Sequence, residues 1–269
     1  MSVYAIGDLH LSLSAPEKTM EVFRGWRGYQ QRLEERWRAV VGPEDTVVLA
    51  GDISWAMRLA DTGPDFRLLQ SLPGRKLLMK GNHDYWWTTR AKMEGFFARE
   101  GLNSLFILHN NSVTADGVCL CGSRGWLFEG SEKYDPVIVA REEGRVRRSL
   151  EAAPAGEEKI LFLHYPPIYG EQIIPEFFRA MADHGVRECY YAHVHGSGSA
   201  GADSRERRMR PSSRATITGS YFSLPSKSQP RLPQSHTPSA ITEILWRIES
   251  LFNPSRAKKA SILDRVVHQ

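Results

Sequence analysis

The chain has 269 residues, 41% of them hydrophobic, and is therefore long enough to bury the core of a full domain. Its net charge of +4 is uneven, because residues 198–269 hold 12 Lys and Arg against 5 Asp and Glu, whereas residues 1–197 hold 23 against 26. The slightly acidic first part does not indicate a nucleic-acid partner. No run approaches the roughly 18 apolar residues of a membrane span, and a strand pattern follows the first methionine at once, which predicts a cytoplasmic protein without a membrane partner.

Strands and helices are predicted to alternate in the first part of the chain. Short apolar, β-branched-rich runs predict buried strands, and apolar residues at a spacing of about 3.6 predict helices between them. In chain order these elements are a strand over residues 3–6, a helix that begins near Ser14 to Glu17 and extends to Val40, a strand over 45–51, a helix over 66–72, a strand over 77–81 and a helix over 92–100.

Short strands that follow one another directly predict a second sheet after residue 104. The Asp116-Gly117 pair favours a hairpin turn between two of these strands. The predicted strands are 105–109, 112–115, 118–122, 160–163 and 188–191, and the predicted helices between the later strands are 135–153 and 175–184.

The composition changes after Gly198, which divides the chain into a catalytic domain over residues 1–198 and a divergent basic tail over 199–269. The tail is rich in Ser, Arg and Pro and lacks periodicity over most of its length, which is typical of loop or disorder. Residues 240–252 instead place their apolar side chains on one helical face. Because the polar face of this helix mixes acidic and basic residues, it suits self-packing or a protein partner better than an anionic membrane.

Five short polar motifs follow predicted strands, and they contain five of the nine histidines. The carboxyl edge of an open α/β sheet is where ligands bind, so these motifs are expected to converge on one cleft. Their carboxylate, amide and imidazole groups are numerous enough for two divalent ions and suit Mn²⁺, Fe²⁺ or Zn²⁺ better than Ca²⁺. The motifs are Gly7-Asp8-Leu9-His10, Gly51-Asp52, Gly81-Asn82-His83-Asp84, Leu163-His164-Tyr165-Pro166 and His193-Val194-His195.

Spacing within the motifs supports a shared site. Asp8 and His10 lie two residues apart, as do His193 and His195, and on an extended chain such pairs point to the same side. Each motif alone is weak evidence, because a lone Gly-Asp pair or histidine more often serves a turn or a core. Their joint occurrence in one order favours a metal centre, whereas His109 fits no motif and is interpreted as structural.

The order of these motifs resembles that of the calcineurin-like metallophosphoesterase superfamily, and the stretches Gly81 to Trp87 and Gly122 to Trp126 are similar to a bacterial branch of predicted phosphohydrolases within it. The resemblance covers about residues 1–198. It implies an α/β fold of four layers, in which a β-sandwich of two mixed sheets is flanked by helices. It also implies a hydrolase of phosphomonoesters or phosphodiesters that uses two divalent metal ions and a metal-bridging hydroxide.

The resemblance also assigns roles to individual residues. His83 would be the catalytic group beside the phosphoryl, with Asp84 orienting it, and Arg124 would bind the substrate phosphate. Ala192 departs from the family's usual glycine, a mild change if its backbone φ is negative. One metal would be held by Asp8, His10 and His195, the other by Asn82, His164 and His193, and Asp52 would bridge the two.

Several alternatives stay open at this level. The substrate is expected to be a phosphorylated small molecule or a nucleotide, but the motifs equally suit a nuclease or a cyclic-nucleotide phosphodiesterase. A scaffold that binds metal without turnover is the alternative from another class. The residues after Gly198 fit either an out-of-frame, divergent ending or a genuine extension.

Overall fold

The computed structural model describes residues 2–23, 26–126, 135–169 and 172–193. His195, the proposed tail and its helix lie outside these residues. The helices are α1 (Tyr29–Val40), α2 (Gly63–Ser71), α3 (Arg90–Arg99), α4 (Pro136–Glu151) and α5 (Pro175–Asp183). The strands are β1 (Val3–Ile6), β2 (Thr46–Leu49), β3 (Arg75–Leu78), β4 (Leu105–Ile107), β5 (Asn111–Ala115), β6 (Val118–Ser123), β7 (Lys159–Leu163), β8 (Ile168–Tyr169), β9 (Gln172–Ile173) and β10 (Glu188–Tyr191).

The first sheet is parallel and has the order β1-β2-β3-β4. Because each connection is expected to be right-handed, strands in sequential order place all their crossover helices on one face. Successive side chains of β2 therefore point alternately toward the helices and toward the second sheet. Val47 and Leu49 pack with the helical residues Trp37 and Phe66, whereas Val48 faces the other sheet.

The second sheet has the order β10-β7-β6-β5 and is mixed, because β5 pairs antiparallel with β6 while the other pairs are parallel. Helices α4 and α5 cover its outer face through residues such as Val146 and Phe177. Leu120 and Phe162 on its inner face pack against Leu77 of the first sheet. The layers are therefore helices, sheet, sheet and helices, which confirms the predicted sandwich. Within the described ranges, no helix combines the length and apolar composition that crossing a bilayer requires.

The segment before α1 differs from the prediction. The expected helix from Ser14 to Val40 is replaced at its start by two short 3₁₀ turns, Pro16–Lys18 and Met20–Val22, and α1 begins only at Tyr29. Gly28 precedes it with a φ of 62°, a left-handed conformation that cannot continue a right-handed helix. The interruption lets the Tyr29 hydroxyl donate a 2.6 Å hydrogen bond to the His10 carbonyl, which anchors the loop after β1.

Candidate metal centre

The carboxyl ends of β1, β2, β3, β7 and β10 bring residues from all five motifs together. The Asp8 N–H donates to the Gly51 carbonyl at 3.0 Å and the His10 N–H to the Asp52 carbonyl at 2.9 Å, so the loops after β1 and β2 run side by side. The His193 N–H, from the other sheet, donates to Asp8 Oδ2 at 2.9 Å. This bond joins the edges of the two sheets at the site.

Asp8, His10 and Asp52 form one group of buried metal-ligand atoms, all within 4.8 Å of one another. Their exposed fractions are only 3%, 2% and 1%. His10 Nε2 lies 3.8 Å from Asp52 Oδ2. Within the described part of the chain, Asp8 Oδ1 and Asp52 Oδ2 are buried without a hydrogen-bond partner. Burying carboxylate oxygens in this way is costly unless a cation binds them, so the group fits a metal ion.

Asn82, His164 and His193 meet on the other side of Asp52. Asn82 Oδ1 lies 2.7 Å from His164 Nε2 and 3.0 Å from His193 Nδ1, and His164 Nε2 lies 3.6 Å from Asp52 Oδ1. Asp52, His164 and His193 also have ligand atoms within 4.8 Å of one another. Asp52 therefore belongs to both groups, as expected for a bridging ligand.

The protonation state of His164 supports a cation in the second group. Its Nδ1 lies 2.9 Å from the Ala50 carbonyl, which can only accept, so Nδ1 carries the proton. Burial lowers the pKa of His164 well below its usual value, so the ring is neutral. Nε2 then directs a lone pair at Asn82 Oδ1, which is also an acceptor. Two facing acceptors repel each other, and a metal ion bound by both would remove the repulsion.

Burial also makes the carboxylates strongly dependent on a counter-charge. It raises the pKa of Asp8 to about 7, although the His193 N–H lowers it in part. The pKa of Asp52 is raised mainly by burial, then by the charges of Asp84 and Asp8, and Arg124 offsets part of this rise. Divalent cations would supply the positive charge that the ionised forms require.

Four of the candidate ligands share an unusual backbone conformation. The φ angles of Asp8, His10, Asp52 and His193 are 55°, 44°, 54° and 72°, in the left-handed region that non-glycine residues rarely adopt. The extended geometry predicted for the Asp8 and His10 pair is therefore wrong, although both side chains reach one group. Ala192 does not have a positive φ, so its departure from the family's glycine is mild.

Two glycines allow the loops after β2 and β3 to approach. A side chain on Gly51 would place its Cβ 2.5 Å from His164 Nδ1, and one on Gly81 would overlap the backbone and carboxylate of Asp52. Gly51 also permits a sharp turn, with its φ of 95°, whereas Gly81 is required by close packing.

Asp84 organises these loops. Its Oδ2 accepts hydrogen bonds from the N–H groups of Asp52 at 2.9 Å and Gly81 at 2.7 Å. Its Oδ1 accepts from the Ile53 N–H at 2.8 Å and the Trp86 indole at 3.1 Å. These bonds show that Asp84 positions the backbone around the candidate ligands. The orientation of His83 by Asp84 stays a prediction.

His83 lies beside the first group and belongs to neither set of ligand atoms identified among the described residues. Its N–H donates to Asp52 Oδ1 at 2.8 Å, and its half-buried ring lies 5.6 Å from the His10 ring, centroid to centroid. Trp55 contacts both histidines, stacking on His10 at 4.9 Å and lying 4.7 Å from His83. Sequence reasoning missed Trp55, because only its contacts in the fold distinguish it from a core tryptophan.

Arg124 is next to the centre through its backbone, since its carbonyl accepts hydrogen bonds from the N–H groups of His164 at 3.2 Å and Tyr165 at 3.1 Å. Its guanidinium carbon lies 5.6 Å from the centre of the Tyr165 ring. The structure thus brings Arg124 and six of the seven proposed ligands to one edge of the sandwich, while His195 falls outside the described residues.

The chain belongs to the calcineurin-like phosphoesterase family, which matches residues 1–197. This confirms the resemblance drawn from the motifs. Membership makes the protein a metal-dependent phosphoesterase, and the Asp and His groups described above provide ligands for divalent metal. No curated protein matches the chain in sequence.

Several solved structures are similar to this chain. One is a protein of unknown function from Aquifex aeolicus, with 18% identity and a TM-score of 0.41 over 71% of this chain and 90% of that one. A phosphopantetheinyl hydrolase from Mycobacterium tuberculosis has 16% identity and a TM-score of 0.43 over 72% and 82% of the two chains. A protein from Thermus thermophilus has 15% identity and a TM-score of 0.46 over 72% and 81%.

Proposed function

We propose that this phosphoesterase cleaves monoesters or diesters of phosphorylated small molecules or nucleotides at a centre of two divalent ions of the Mn²⁺, Fe²⁺ or Zn²⁺ class. The observation that carries the proposal is the position of Asp52, whose two carboxylate oxygens face His10 on one side and His164 on the other. In this proposal the first ion is held by Asp8, His10 and His195, the second by Asn82, His164 and His193, and both by Asp52.

Divalent ions at such a centre lower the pKa of water and neutralise charge on the phosphoryl oxygens. The protein's own contribution is to hold the ligand atoms in place before substrate binds. The Ala50 carbonyl fixes the His164 tautomer, and the His193 N–H fixes the Asp8 carboxylate. Ligands held by such bonds need little reorganisation when substrate binds.

His83 is proposed as the residue that protonates the leaving oxygen. Its backbone is held by Asp52 and its ring by contacts with His10 and Trp55, so it is positioned at the edge of the centre without being needed as a ligand. An imidazolium in this place can donate a proton to an alkoxide as the ester bond breaks.

Metal analysis and a substrate panel test the proposal. The parent protein is expected to hold close to two metal ions per chain and to hydrolyse members of a panel of phosphomonoesters, phosphodiesters and nucleotides with Mn²⁺, but not with chelator. Asp52→Asn should lose metal and turnover, because it removes the charge shared by both groups. Asp61→Asn is the matched control, since Asp61 is 48% exposed and pairs only at the surface with Arg58.

Three outcomes would contradict the proposal. A parent protein with no bound metal and no response to added Mn²⁺ would show that the proposed metal centre does not form. Bound metal without turnover of any ester would favour the scaffold alternative. Preferential cleavage of long nucleic acid, with binding that falls steeply as salt is added, would favour a nuclease.

A further inference from the structure

A second cleft, of about 310 Å³, lies beside the metal centre. It is lined by residues at or after the ends of β3, β4 and β6, together with the start of α3 and Arg145 of α4. Arg124 connects it to the centre, because its carbonyl binds the His164 N–H and its charge acts on Asp52 and His164. The cleft is lined by Lys80, Trp87, Thr88, Thr89, Arg90, Met93, Ile107, His109, Arg124 and Arg145.

Positive charge in this cleft exceeds the negative charge that pairs with it. Two of its four cationic side chains have carboxylate partners, since Arg145 pairs with Glu142 and Arg90 with Glu94. Lys80 and Arg124 make no ion pair within 4.0 Å among the described residues. Arg124 Nε is moreover buried without a hydrogen-bond partner in that part of the chain. A buried guanidinium donor of this kind favours an anionic ligand.

His109 responds to the same charge. The pKa of His109 falls to about 4 because of burial and then the charges of Lys80, Arg145 and Arg124. His109 Nδ1 is also buried without a hydrogen-bond partner among the described residues. His109, interpreted as structural from the sequence, therefore faces a cleft in which cationic side chains outnumber the carboxylates that pair with them.

The start of α3 adds partial positive charge to the cleft. Thr88, Thr89 and Arg90 line the cleft, and Arg90 is the first residue of this ten-residue helix. The N–H groups of a helix's first turn carry partial positive charge and bind anions. This contribution reinforces the cationic side chains but is secondary to them.

We propose that Lys80, Arg124 and Arg145 form a subsite for a second anionic group of the substrate, a phosphate or carboxylate distinct from the ester that is cleaved. The inference rests on the proposed function, since it assigns the cleft to the substrate of the same centre. It narrows the substrate class to small phosphate esters with an additional anionic group. Esters of neutral alcohols would leave the cationic cleft filled only by water.

Binding of inorganic phosphate to the chelator-treated protein tests the subsite without using the activity. Calorimetry at low ionic strength should detect binding to the parent. Arg145→Gln and Lys80→Met should each weaken it about tenfold or more, because each change removes a charged hydrogen-bond donor from the anion. Arg148→Gln is the control, since Arg148 is an exposed arginine on the same helix and outside the cleft. An absence of binding, or one affinity for all four proteins, would overturn the subsite.

A matched pair of esters tests the connection with the substrate. The parent should favour 1,3-propanediol bisphosphate over propyl phosphate by about tenfold or more in kcat/KM, and Arg145→Gln should reduce this ratio. A ratio of one in an active parent would refute the inference while leaving the proposed function intact. Phosphate binding that depends on Arg145 in a protein that cleaves neither these two esters nor any member of the phosphoester panel would instead refute the proposed function and keep the anion subsite.

Discussion

Replacing Asp84 with Asn examines how the candidate ligands are held. The Asp84 carboxylate accepts hydrogen bonds from the N–H groups of Asp52 and Gly81 at one oxygen. Its other oxygen accepts from the Ile53 N–H and the Trp86 indole, and from a third N–H at 3.4 Å. Asn would turn one of these acceptors into an NH₂ donor, so at least two buried donors would face another donor.

The expected loss of stability follows from that count. A buried donor without an acceptor costs about 1 to 3 kcal/mol, so two donors cost about 2 to 6 kcal/mol. One effect opposes this loss, because the charge of Asp84 contributes to raising the pKa values of Asp8 and Asp52, and Asn removes that repulsion. Since burial is the largest cause of both shifts, the lost hydrogen bonds should dominate and Asp84→Asn should be destabilising.

Urea unfolding of the chelator-treated protein measures this difference without a contribution from bound metal. Asp116→Asn is the control, because Asp116 is exposed in the β5–β6 turn at a φ of 51°, which Asn also tolerates, and this change should alter stability by less than about 0.5 kcal/mol. If Asp84→Asn unfolds at the parent's urea midpoint, Asp84 does not hold the loops together and the argument fails.

Three further changes address a packing contact, the proposed acid and a buried histidine. Gly7→Ala should destabilise the fold, since its methyl group would overlap the Ala192 side chain. Adding Ala192→Gly should restore most of the stability measured by urea unfolding. A double variant that is no more stable than Gly7→Ala would exclude this contact as the cause. His83→Ala should keep its metal but lose roughly 10² to 10⁴-fold activity on an alkyl phosphate, and less on nitrophenyl phosphate, whose leaving group needs no proton. Equal losses would make His83 a positioning residue, and lost metal would make it a ligand. Burial lowers the pKa of His109 from 6.5 to about 4. As the pH falls from 6.5 to 4, His109 therefore gains a proton in the unfolded chain but not in the folded protein, and this difference lowers the free energy of unfolding. The parent should lose roughly 3 kcal/mol from this source over that range and His109→Asn should not, so parallel stability curves would contradict the shift.

The sequence patterns were sufficient for most strands and helices, for the start of a second sheet and for most of the candidate ligands, whereas the order of the layers was implied by the resemblance to the family. A run such as residues 47–50 is apolar throughout because it is buried on both faces, so the strand can be recognised locally. Asp52 follows that run directly, and parallel strands bring their carboxyl ends to one edge. The helix before Tyr29 was mispredicted because the apolar spacing continued through a segment in which Gly28 adopts a left-handed conformation.

What the sequence by itself determined was therefore the set of side chains with metal-binding chemistry and the edge at which they gather, since both follow from short-range patterns. Only the tertiary structure decided what surrounds them. Asp84 acts on the N–H groups of a loop some 30 residues earlier, and Lys80, Arg124 and Arg145 share a cleft although they come from three separate elements. Such contacts depend on how the sheets and helices pack, and the physical reason is that charge and hydrogen bonding act through space and not along the chain.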